Sequence, residues 1–160
     1  MQHTVIDILP NPTRRQVAAL PLRERDGRVE VCLVTTRTSH RWTVPKGWPI
    51  KGCKDHVAAR IEAEQEAGLT GRPHKKALGS FLYWKRWADR FERVEVSLYP
   101  LRVTGALRAW KEQAERRVQW MRLTDAVIIV DDPGLASLLR RLMGRAPGDE
   151  GSAGSYQLRS

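Results

Sequence analysis

The spacing of apolar residues changes several times along the chain, and each change marks an element. Residues 16–24 (QVAALPLRE) are strand-like, and residues 29–36 (VEVCLVTT) form a β-branched run. Asp26-Gly27 stands between them, a dipeptide suited to the tight turns of hairpins, so the two strands should pair antiparallel. Within the second strand, residues 31–34 are continuously apolar, as expected where both faces are buried. Residues 37–53 hold two prolines and two glycines and read as loop, with a short strand over 42–44. A helix is expected over 56–67, which lacks Gly and Pro and is rich in Ala, Glu and Gln. Asp55 is the expected N-cap and Gly68 the C-cap.

Strand spacing returns over 78–87 and 93–103. In the second stretch Val94, Val96 and Leu98 alternate with Glu95, Ser97 and Tyr99. Residues 118–123 are a further short strand. Asp132-Pro133 gives an N-cap followed by proline at the first helical position. Leu135, Leu138, Leu139 and Leu142 then recur at helical spacing until Gly144. Strands with two interposed helices predict an α/β sandwich with a single domain over 14–144. Residues 1–13 are an irregular lead-in, and 145–160, rich in Gly, Ser and Ala, are expected to be a disordered tail.

Composition narrows the picture. The apolar runs, such as 126–130, are far too short to span a bilayer, so no membrane association is expected. The first residues lack the basic-then-apolar order of a signal peptide, which points to the cytoplasm. Cys32 and Cys53 form no C-x-x-C pair and read as free thiols. The four histidines, His3, His40, His56 and His74, show no metal-ligand spacing. A net charge of +10 asks for an anionic partner, but charge alone does not choose among phosphates, nucleic acid and a membrane surface.

The helix over 56–67 places Glu62 and Glu66 four residues apart on one face, with Gln65 beside them. Alone, the pair repels weakly, and such pairs are common on solvated helices. Oxygen ligands of this kind suit a hard cation such as Mg²⁺. The preceding loop carries Lys46, Lys51 and Lys54 around Gly47 and Gly52, stiffened by Pro45 and Pro49. A basic, glycine-containing loop running into an acidic helix sets phosphate donors beside metal ligands, the pairing that phosphoryl chemistry needs. The loop lacks the G-x-x-x-x-G-K-[ST] pattern of a P-loop.

Residues 47–69 resemble the Nudix box, G-x5-E-x7-R-E-U-x-E-E-x-G-U, with U a bulky apolar residue. Gly47, Glu62, Glu66, Gly68 and Leu69 hold their positions with the spacing kept. The sequence from Trp42 to Pro49 is similar to the subgroup of diphosphoinositol polyphosphate phosphohydrolases and their bacterial relatives. Weaker similarity covers about residues 14–143, including Trp110-Lys-Glu and Trp120. The resemblance implies an α/β/α sandwich with a mixed sheet. It also implies Mg²⁺- or Mn²⁺-dependent attack of water on a diphosphate linkage, with the carbonyl of Gly47 adding a metal ligand. The box is degraded: Cys53 replaces the first glutamate, Ile61 the arginine that helps orient its neighbouring glutamate, Gln65 the first paired glutamate, and Ala63 the bulky apolar residue.

An amide at 65 can bind a cation but brings no charge and cannot act as a base. A glutamate from outside the box is therefore expected to assist; Glu112 and Glu95 are the two candidates, with Glu92 and Glu115 behind them. The expected catalytic residues are Glu62, Glu66 and Glu112, and the expected metal ligands Glu62, Glu66, Gln65 and Gly47. Arg37, Arg41, Lys46 and Lys51 flank the box as phosphate donors, and Arg14, Arg15, Lys85 and Arg86 extend the basic patch. The expected partner is a phosphorylated small molecule. A catalytically weakened module that binds such a ligand is the alternative reading. The tryptophans, Trp84 and Trp87 among them, and the charge also fit nucleic-acid binding, but neither a stacking-sheet signature nor a helix-turn-helix is present.

Overall fold

The computed structural model describes residues 14–144; the expectations for the lead-in and the tail fall outside them. Asp26 and Gly27 both take positive φ (52° and 73°), and Arg25 pairs with Arg28. This is the left-handed two-residue turn that the Asp-Gly dipeptide favours. It joins β1 (Arg14–Arg25) to β2 (Arg28–Thr35) in antiparallel register. β3 (Trp42–Thr43) and β4 (Lys46–Gly47) are two residues each, and α1 spans Asp55–Ala67. β5 (Leu69–Pro73), β6 (Gly79–Arg86), β7 (Phe91–Ala106) and β8 (Val118–Arg122) follow, then α2 (Leu123–Ile129) and α3 (Pro133–Met143).

The sheet is mixed. β1 runs parallel to β7, and the other pairings are antiparallel. The long strands β1 and β7 pair with each other, and each divides its other edge between two more partners. β1 pairs with β4 at Val17–Ala18 and with β2 further along; β7 pairs with β6 along its first half and β5 along its second. β8 closes on β2, opposite Val118 and Val34.

Alternation along these strands builds a core on each face. Ala18, Leu20, Val31, Leu33, Val94, Val96 and Leu98 pack with Leu123, Ala126, Leu135 and Leu139 of α2 and α3. Val17, Ala19 and Leu101 point the other way, onto Ala58, Ala59 and Ala63 of α1. Cys32 and Val34 share that second face with Ala67 and Leu69. The expectation for 31–34 therefore holds: all four are fully buried, two on each side. Helices on both faces of a mixed sheet make the α/β/α sandwich. Among the described residues no helix is long and apolar enough to cross a membrane.

Three expectations shift, and the N-cap expected at Asp132 holds. Asp55 is the first helical residue; Lys54 is the N-cap, and its carbonyl accepts the N–H groups of Val57 and Ala58. Asp132 does occupy the N-cap of α3, without a side-chain capping bond. Residues 123–129 form a helix, so the strand at 118 ends at Arg122. β5 is an additional strand, drawn into register by the second half of β7 despite its Gly and Pro.

Candidate functional site

The buried face of α1 is built from alanines, and alanine lets a helix lie close to a sheet. Glu62 and Glu66 ride on the border of that face, directly over β4. Glu66 is 4% exposed, and its Oε2 accepts the backbone N–H of Lys46 at 3.0 Å. Glu62 lies against Gly47: a Cβ built there would fall 2.3 Å from Glu62 Oε1. Glycine at 47 therefore leaves the space that the Glu62 carboxylate fills.

The end of α1 brings in the third carboxylate. Gly68 takes a left-handed conformation (φ 66°), and its N–H donates to Glu64. The Trp110 ring covers Gly68 so closely that a Cβ would sit 2.3 Å from it. Leu107 and Glu112 donate their N–H groups to the carbonyls of Gly68 and Gln65, satisfying acceptors that a helix end otherwise leaves to water. The segment 107–117 is thus wrapped around the helix terminus, which delivers Glu112 to Glu62 and Glu66.

Arg116 ties the carboxylates together. Its Nη2 lies 2.8 Å from Glu66 Oε1 and 3.1 Å from Glu112 Oε1. Nε donates to Glu112 Oε1 at 3.2 Å and Nη1 to the carbonyl of Thr35 at 3.0 Å. Sequence reasoning did not single out this residue. It sits in the charge run Glu115-Arg116-Arg117, where nothing local distinguishes it from a solvated side chain. Asp132 and Tyr83 were also missed as site neighbours. Asp132 faces Lys46, and Tyr83 donates to Gln16 Oε1 at 2.6 Å while its ring lies under the Lys46 ammonium, 4.9 Å away.

The electrostatics follow from burial and crowding. Burial pushes Glu66 up to about 7, although Arg116 and Lys46 pull it down. Glu62 is also raised, by burial first and then by Glu112. Burial holds Lys46 below the usual lysine range against the opposing pull of Glu66 and Asp132, and Asp132 is raised by burial. Perturbed carboxylates beside a perturbed lysine are a common mark of a functional site.

The expected residues fall into three groups. Glu62, Glu66, Glu112, Gly47 and Lys46 come together. Arg37 and Arg41 lie at the rim: Arg37 is 3.7 Å from Glu112 and 3.9 Å from Glu115, and Arg41 is 3.9 Å from Asp131. Lys51 lies exposed on the turn before α1, and Gln65 joins through its backbone carbonyl. Glu95 lies on β7 opposite Arg15 and Leu82, and Glu92 pairs with Arg14 at 3.9 Å. Of the extended patch, Arg14 and Lys85 stack over Trp48, at 3.7 and 5.8 Å. Trp84 is exposed, and Trp87 lies between Lys85 and Arg90.

Among the described residues no three His, Cys, Asp or Glu side chains are gathered as a ready-made metal cage. The donor chemistry nevertheless fits a hard divalent cation. Glu62 makes no ion pair among the described residues and lies on the bare backbone of Gly47, with Glu66 and Glu112 next to it; all these donors are oxygens.

The NUDIX domain model matches residues 12–142. The mitochondrial Nudix hydrolase 17 of Arabidopsis thaliana is 32% identical over 125 residues, which are 72% of this chain and 66% of that protein's length. A C. elegans Ap4A hydrolase structure covers 81% of this chain and 95% of its own, at 24% identity and a TM-score of 0.61. A NUDIX hydrolase from Nitrosomonas europaea covers 84% and 90%, at 18% identity and 0.62. At such identities the two structures speak for the fold alone. With the family model spanning the sheet, both helical layers and the carboxylate site, the chain belongs to the Nudix domain family.

Proposed function

We propose that this chain hydrolyses a diphosphate linkage, in a nucleoside-diphosphate-X, a dinucleoside polyphosphate or a diphosphoinositol polyphosphate. One observation carries the reading: Glu62 lies against Gly47, and Glu66 and Glu112 share the Arg116 guanidinium next to it, with Lys46 and Arg37 close by. In such a reaction the oxygen of water bonds to one phosphorus and the bridging P–O bond breaks. One proton is released and two phosphate-bearing products remain. Glu62, Glu66 and Glu112 are the residues that would hold Mg²⁺ or Mn²⁺, with Gln65 and the Gly47 carbonyl as expected further donors; the ion would lower the pKa of a bound water and offset phosphate charge. Lys46, Arg37 and Arg41 bind phosphate oxygens, with Lys51 at the outer edge of the loop. The named relatives support hydrolysis in general, and the Ap4A hydrolase shares the fold.

A second reading has its own support. Arg116 already neutralises Glu66 and Glu112, and position 65 is an amide. A chain built this way binds a phosphorylated ligand without turning it over. The two readings separate on a panel of ADP-ribose, dinucleoside polyphosphates and an inositol pyrophosphate, each with Mg²⁺ or Mn²⁺, with products resolved by ion-exchange chromatography. Turnover of any member supports hydrolysis. Saturable binding with every member recovered intact rejects it in favour of the binding module.

A further inference from the structure

Position 61, where the Nudix pattern has an arginine, is isoleucine, yet a guanidinium still sits among the carboxylates. It comes from the C-terminal half of the chain. Arg116 precedes β8, and the backbone on its C-terminal side is stapled to the end of β2. Thr35 donates its N–H to the Arg117 carbonyl at 3.1 Å, and Arg117 returns an N–H to Thr35 Oγ1 at 2.9 Å. The side chain is 10% exposed, and Nε, Nη1 and Nη2 all have protein acceptors. A solubilising surface arginine has none of these properties.

The consequence falls on Glu66. Its Oε1 takes Arg116 at 2.8 Å while its Oε2 takes the Lys46 N–H at 3.0 Å, so both oxygens are fixed from outside α1. The same guanidinium grips Glu112 through two nitrogens, and so sets Glu112 relative to Glu66. A planar fork holding two carboxylates fixes orientation as well as charge.

The geometry points to Arg116 as the positioning residue of the site: a guanidinium from outside the box that holds Glu66 and Glu112 rather than Glu62, the neighbour of Ile61. This inference rests on the hydrolytic reading for its kinetic consequence but not for its structural one. The test is Arg116→Met, which keeps the apolar stem. A carboxylate displaced by about 1 Å lowers turnover roughly 100-fold, so kcat should fall by that order with KM nearly unchanged. In the metal-free protein the Lys46 amide should exchange with solvent about tenfold faster, since its acceptor is no longer held. A residue that merely staples the segment 107–117 would alter exchange at Glu112 and leave Lys46 untouched. If Arg116→Met folds poorly, Arg116→Lys keeps the charge, loses the fork and should move both readouts in the same direction. Unchanged Lys46 exchange, unchanged kcat, or a loss confined to KM would overturn the assignment. A wild type that hydrolyses nothing would sink the proposed function, while the Lys46 amide would still decide whether Arg116 holds Glu66.

Discussion

Replacing Gly47 with alanine separates the fold from the chemistry. The added Cβ would meet Glu62 Oε1 at 2.3 Å, Cδ at 2.4 Å and Oε2 at 2.7 Å, and nothing else as near. An ordinary contact needs roughly 3.4 Å, so the carboxylate must retreat by about 1 Å. It is the far end of a flexible side chain, and Gly47 has no positive φ, so the backbone accepts alanine. Moving Glu62 off its rotamer costs about 0.5–1.5 kcal/mol, a drop in Tm of several degrees for a domain of this size. Turnover is far more sensitive, because a 1 Å misplacement of an active group costs on the order of 100-fold. The assay is kcat/KM with Mg²⁺ on the best substrate of the panel, beside a thermal melt. Gly47→Ala with wild-type kcat/KM would refute the placement of Glu62 in the reaction.

Three further outcomes follow from the same structure. Gly68→Ala should lower both Tm and activity, because alanine is strained at φ 66° by about 1–2 kcal/mol and its Cβ displaces Trp110, which anchors the segment carrying Glu112 and Arg116. Leu98→Ala, in the core against α2 and α3, should cost about 2–5 kcal/mol in a denaturant melt while kcat of the folded fraction stays unchanged. In EDTA, the folded-state pKa of Glu66, raised from 4.5 to about 7, means that the native state binds the extra proton. Its contribution to stability is complete below about pH 4.5 and lost as pH rises through about 7; denaturant melts across that range should show the decline, and Glu66→Gln should flatten it.

The legible parts of the fold were those set by neighbours in sequence. Asp26-Gly27 specifies its own turn, and the run 31–34 declares burial on both faces. The helix around Glu62 carries its composition and its closing glycine openly. What escaped depends on distant partners. Residues 123–129, with Val127, Ile128 and Ile129, have strand-like propensity; packing of Leu123 and Ala126 on the core makes them helical. β5 holds Gly71 and Pro73 and is a strand because β7 supplies its register. The site divides in the same way. The neighbourhood of Glu62, Glu66 and Gly47 was readable from box spacing, whereas Glu112 was one candidate among several until the wrap around Gly68 brought it next to Glu66. Arg116 had no sequence signal, since its meaning lies wholly in contacts to Thr35, Glu66 and Glu112.

The most direct test of the central claim is the Mg²⁺ dependence of diphosphate hydrolysis by wild type and Glu62→Gln. Glu62 makes no ion pair among the described residues, so the variant should fold as the wild type does. The wild type should need Mg²⁺ or Mn²⁺, and Glu62→Gln should lose turnover by about 100-fold or more at an unchanged Tm. Metal-independent turnover, or a variant as active as the wild type, would contradict that claim.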